Sequence, residues 1–176
     1  FDVVEEQNIG PQLYSPADIG LTKVKALRKN LAAVTGEMIN IGDKWIDEKS
    51  KEDIEKHDIL ILGLDTIKAR KDIFKIVETL TKPMWFIDGR MEANEIQVFS
   101  FVPSSDSNRN YLATLFDEKE ATPIACSMRS VVYNCLFIAG LITDIVAHIA
   151  NEDPVPYLLE ADLKNLELYG GLISAN

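Results

Sequence analysis

The run from His57 to Asp65, HDILILGLD, constrains this chain more than any other stretch. Four consecutive aliphatic residues, Ile59 to Leu62, leave no polar face, so a strand formed there is buried on both sides. Such strands belong to parallel sheets covered by helices. The neighbouring pattern supplies a cover. Residues 67–81 carry Ile73, Ile76, Val77 and Leu80 on one side, the spacing of an amphipathic helix. Upstream, Asp18 is placed to cap a helix reaching about Val34. Leu21, Val24, Leu27 and Leu31 are spaced three and four apart along it, and Gly36 stands where it should stop.

Other segments fill in the order. Residues 1–4 read as a strand end, and 37–46 alternate enough to predict a half-buried strand. Residues 47–56 are charged and helix-prone. Residues 83–88 (PMWFID) and 96–102 (IQVFSFV) predict two more strands. Residues 103–110 read as a loop, 111–115 as a short helical piece and 127–149 as one long helix, with 157–173 pairing as terminal strands. This alternation predicts an α/β fold with a mainly parallel sheet, flanking helices and additional strands near the C-terminus. The 176 residues suit a single domain spanning 1–176. Phe1-Asp2-Val3-Val4 reads as the tail of a strand, which predicts an N-terminally incomplete domain.

Charge narrows the function. There are 18 basic and 28 acidic residues, a net of −10, which argues against a nucleic-acid partner. The helix at 127–149 approaches the length of a membrane span, but Arg129, Asn134, Asp144 and His148 interrupt it. No membrane partner is therefore expected, and the helix should be buried in a core or a dimer interface. Two cysteines without metal spacing fit a reducing, cytoplasmic setting.

Three residues invite chemistry. Asp65 stands where a buried parallel strand emerges, the place where open α/β sheets bind ligands, and a carboxylate there can hold magnesium on phosphates. Equally, it could cap the next helix beside Thr66. Lys23, early in the first helix, could meet a phosphate or be a solvated surface lysine, like Lys25, Arg28 and Lys29 near it. Cys126 precedes the long helix, where a thiol can become a nucleophile, whereas Cys135 reads as a small core residue. There is no GxGxxG or GxxxxGK[ST] motif, and only His57 and His148 could serve a hydrolase triad.

Together these positions resemble a known family. Asp2-Val3-Val4, Asn8, Gln12, the segment from Asp18 to Val24 (DIGLTKV), Asp65 with Arg70 five residues on, and Cys126-Ser-Met-Arg-Ser-Val-Val are similar, in order, to the motifs of the ThiF/MoeB/HesA family, the ubiquitin-activating-enzyme-like adenylyltransferases. The resemblance implies a Rossmann-like domain, commonly a homo- or heterodimer, that uses ATP and magnesium to adenylate the C-terminal carboxylate of a ubiquitin-like or sulfur-carrier protein. It implies that Asn8 and Lys23 contact phosphates, Gln12 supports the phosphate side, Asp2 lines the nucleotide site, Asp65 holds magnesium and Cys126 could carry a covalent intermediate. Where the family reads R-Q this chain has Pro11-Gln12, and the family's glycine-rich turn would precede Phe1. A non-catalytic subunit pairing with an active partner is the alternative. A generic Rossmann-like domain for another nucleotide is the third reading.

Overall fold

Phe86 and Ile87, adjacent on one strand, face opposite cores, and this alternation organises the larger part of the chain. In a computed structural model, which describes residues 2–10, 12–115 and 132–171, the chain divides into two compact units. The first comprises Phe1–Trp45 with Ser130–Cys135, and the second comprises Ile46–Arg129 with Leu136–Asn176.

The second unit holds a five-stranded sheet in the order β1-β2-β3-β4-β5. The strands are β1 (Ile59–Leu62), β2 (Trp85–Glu92), β3 (Glu95–Phe101), β4 (Leu158–Asp162) and β5 (Glu167–Gly171). The architecture is the expected α/β sheet with flanking helices and added C-terminal strands, and its strand directions are mixed. β1 runs parallel to β2, while the three later pairs are antiparallel. The direction changes at the two-residue turn Ala93–Asn94, where Ala93 adopts φ 52°. So tight a connection can only return the chain antiparallel, whereas β1 reaches β2 through a helix.

Side-chain alternation then sorts the core. Phe86, Phe99 and Phe101 join Phe74 and Val77 of a helix, α3 (Ile67–Val77), and Tyr111 of another, α4 (Ser105–Ala113). Ile87, Ile96 and Val98 face the other way, toward Ile145 of the helix α5 (Val132–Ala150). Gly89 lies on that second side, where an added Cβ would come within 3.0 Å of Ile142 Cδ1. The missing side chain lets α5 approach the sheet closely.

Several expectations are corrected. Residues 37–46 form no strand: their alternation finds no neighbouring chain to pair with, and most are exposed. Residues 47–56 give only a 3-10 turn and the short helix α2 (Lys51–Ile54). The segment read as a loop at 103–110 begins α4, because Ser104 and Ser107 bond reciprocally across its first turn. The helix α1 (Lys23–Thr35) starts at Lys23 with Thr22 at its N-cap, so Asp18 does not cap it. Gly36 does end it, at φ 77°. α5 is not buried as a whole: along it only Asn134 and Ile145 are, because one stripe packs on the sheet and the rest faces outward. With 19 residues and mean hydropathy 1.7, α5 is long and apolar enough to cross a membrane by length and composition.

Candidate functional site

In the first unit the extended start of the chain pairs with the approach to α1. Val4 N–H donates to Leu21 O at 2.9 Å, Gly20 N–H to Val4 O at 2.9 Å and Lys23 N–H to Asp2 O at 2.7 Å. Gly20, at φ 86°, supplies the turn this requires. The pairing places the Lys23 ammonium 2.6 Å from the Asp2 carboxylate. That hydrogen bond holds the Asp2 carboxyl below the usual carboxylate range. Lys23 also opens α1, so its charge adds to the positive end of the helix. An incoming phosphate would compete with Asp2 for this ammonium.

Asn8 and Gln12 lie on the same loop, joined by a hydrogen bond from Gln12 N–H to Asn8 O at 3.2 Å. The Asn8 side-chain oxygen accepts from Glu5 N–H at 2.9 Å, closing a 3-10 turn. Asp18, read from the sequence as a cap, is instead a fully buried carboxylate. It accepts from Ser15 N–H at 2.7 Å, from Ser15 Oγ at 2.8 Å, from Asn30 Nδ2 at 3.1 Å and from the ammonium of Lys29. Lys29 above all, then Ser15 and Asn30, push its pKa far down. Lys29 is thus no ordinary surface charge.

Asp65 belongs to the second unit and follows β1 by three residues. The cap of α3 is Thr66, whose hydroxyl accepts from Ala69 N–H at 3.2 Å. That leaves the Asp65 carboxylate exposed and without a hydrogen bond or ion pair among the described residues. No group of three or more His, Cys, Asp or Glu residues suited to a metal occurs among them. A single free carboxylate at a strand end nonetheless fits magnesium, which takes one or two protein ligands and draws the rest from phosphates and water. Cys126 lies outside the described residues. Cys135 is half-buried on α5, and burial pushes its thiol pKa up, as befits a packing residue.

A second polar cluster escaped the sequence reading. Asp88, fully buried on β2, accepts from Arg70 Nε at 3.0 and 3.2 Å, from Arg90 Nε at 2.7 Å and from the Tyr111 hydroxyl at 2.9 Å. Arg90 continues to Thr114 Oγ1 at 2.9 Å and lies over Phe99, 4.3 Å from the ring centroid. Burial, then the Asp88 charge, raise the Tyr111 phenol pKa far above its ordinary value. One signal was available: Arg70 occupies the same helical stripe as Ile73, Phe74 and Val77, where an apolar residue is expected. A groove of about 500 Å³ between α3 and α4, lined by Val77, Ser104, Asn108 and Leu112, contains none of the candidate residues.

The ThiF family model matches residues 1–171. Among solved structures, PaaA superposes with a TM-score of 0.68 at 19% identity, over 98% of this chain and 62% of its own. MccB from E. coli, crystallised with AMPCPP and MccA, gives 0.63 at 14% identity over 99% of this chain and 55% of its own. The E. coli MccB complex with ATP gives 0.60 at 13% identity, over 98% and 54%. The likeness is one of fold, and this chain spans little more than half the length of these proteins. No curated protein matches it.

Proposed function

Because the chain belongs to the ThiF family, we propose that it acts in ATP-dependent adenylation of a carboxylate on a partner protein, the C-terminal carboxylate of a ubiquitin-like or sulfur-carrier protein. The observation that carries this reading is the family match over nearly the whole chain. The E. coli MccB structures, one with ATP and others with MccA, lend support from proteins of the same fold.

In the reaction, a carboxylate oxygen attacks the α-phosphorus of ATP, the bond to the bridging oxygen of the β-phosphate breaks, and pyrophosphate leaves. Two anions must approach each other, so positive groups aimed at the phosphates lower the barrier most. Lys23, at the positive end of α1, fits that role, with Asn8 donating to phosphate oxygens and Gln12 supporting them. Asp2 holds the Lys23 ammonium in place and lines the nucleotide site. Asp65 would hold magnesium, which when bound neutralises phosphate charge. Cys126 is the candidate for a later covalent transfer. A cytoplasmic setting and a homo- or heterodimer complete the reading.

The test is ATP–pyrophosphate exchange by the full-length protein with its carrier, where Asp65→Ala should abolish exchange. Exchange at the wild-type rate in that variant overturns the magnesium assignment. Pro11, standing where the family has arginine, favours a second reading: a non-catalytic subunit that pairs with an active partner. No exchange alone, restored on adding such a partner, would select it.

A further inference from the structure

We propose that the buried Arg70–Asp88 ion pair positions Asp65, making Arg70 a positioning residue for the carboxylate read above as the magnesium holder. The inference rests on that reading for its functional consequence and on geometry for its mechanical part.

Among the described residues no side chain bonds to Asp65, so its place is set by the backbone between the end of β1 and the start of α3. Arg70 governs that backbone. Its amide donates to Thr66 O at 3.3 Å, and its guanidinium Nη1 reaches the same oxygen at 3.5 Å. The rest of the guanidinium is fastened to β2: Nε to both Asp88 oxygens and Nη2 to Gly89 O at 3.0 Å. Asp88 pairs in register with Leu62, the last residue of β1. One side chain therefore ties the first turn of α3 to the strand alongside the end of β1, and Asp65 lies between those two points.

The anchor is itself held from several sides. Asp88 is held by Arg90 and the Tyr111 hydroxyl, and Arg90 by Thr114 and the Phe99 ring. A buried ion pair is often no more stabilising than a well-packed apolar pair, so a gain in stability does not account for it. A planar fork reaching three acceptors fixes direction as well as distance, which lysine or an aliphatic residue cannot do. Groups behind a metal-holding carboxylate commonly matter in this way.

The experiment uses the full-length protein with its carrier, comparing wild type, Arg70→Met, Arg70→Lys and, as an exposed charge control on α3, Lys75→Met. Two quantities are measured below the unfolding range: the Mg²⁺ concentration for half-maximal ATP–pyrophosphate exchange, and hydrogen exchange of the Ala69 and Arg70 amides, which donate to the Thr66 hydroxyl and carbonyl. Arg70→Met should raise the Mg²⁺ half-saturation about ten-fold or more while the rate at saturating Mg²⁺ falls much less. The Ala69 and Arg70 amides should lose protection, while those of Val98 and Leu159 keep theirs. Arg70→Lys should lie between, and it carries the test if Arg70→Met does not fold. Lys75→Met should match wild type. An unchanged Mg²⁺ half-saturation in a folded Arg70 variant overturns the proposal. If wild type itself shows no exchange, the adenylation reading fails instead, and hydrogen exchange decides the mechanical claim: unchanged protection at Ala69 and Arg70 overturns it, lost protection upholds it.

Discussion

Lys23 and Asp2 are joined twice, by a 2.6 Å ion pair between side chains and by a 2.7 Å hydrogen bond between backbones. The side-chain half is replaceable. With Asp2 63% exposed, Asp2→Asn should cost no more than about 1 kcal/mol in thermal unfolding, because water screens the pair. A larger loss would mean that the backbone contact depends on the charge.

Asp18 should behave differently. Its folded pKa lies below its unfolded value, so its stabilisation is complete above the ordinary carboxylate pKa and fades as pH falls through the folded one. Lys29, the charged group facing it, stays protonated throughout. Unfolding measured against pH should show wild type losing stability on acidification through this window. Asp18→Asn should be less stable near neutrality and show a smaller loss there, and parallel curves would refute this account.

Tyr111→Phe removes one donor from a buried carboxylate and little else. About 1–3 kcal/mol should be lost in denaturant unfolding, with the slope against denaturant unchanged. In the folded protein the phenol should not ionise at the pH where free tyrosine does, since burial raises its pKa. Ultraviolet titration against the Phe variant reads this directly.

Gly89→Ala tests the seat of α5. The new methyl would meet the Cδ1 atoms of Ile142 at 3.0 Å and Ile138 at 3.1 Å, both ends of flexible side chains. A cost of about 1–2 kcal/mol is expected, at the mild end of overpacking. A neutral result would show that the Ile138 and Ile142 side-chain ends swing aside without strain.

Gly36→Ala probes strain without crowding. Gly36 sits at φ 77° with open space around its Cα, so only the backbone conformation opposes a side chain. Thermal unfolding should show a loss of about 1 kcal/mol.

Much of this architecture is legible in the sequence wherever one local pattern has one solution. The ILIL run and Gly36 each specify an element, and each is found, but β1 stands at the end of the strand order and is not buried on both sides: Ile61 is 47% exposed. The stripe from Ile73 specifies α3, which ends at Val77, short of Leu80 and of the expected residue 81. Residues 37–46 mislead because alternation describes a strand's faces without supplying its neighbour. Ser104 and Ser107 mislead in the other direction, since a serine-rich stretch reads as a loop until the reciprocal bonds are seen. Lys23 and Asp65 stand out as candidates because each occupies an element terminus. Asp88 stays hidden: it reads only as the last residue of the PMWFID strand, and Arg70, eighteen residues away, Arg90 and Tyr111 are what make a buried carboxylate tolerable there.

Two guanidiniums share the one carboxylate of Asp88, so this cluster holds an excess of positive charge inside a chain whose net charge is −10. Dissolved salt weakens pairs in contact with water, such as Lys56–Asp53, and hardly reaches the Arg70–Asp88 contact. Raising ionic strength should therefore loosen the periphery first and leave the Arg70–Asp88 contact, whose carboxylate is fully buried, in place within the second unit.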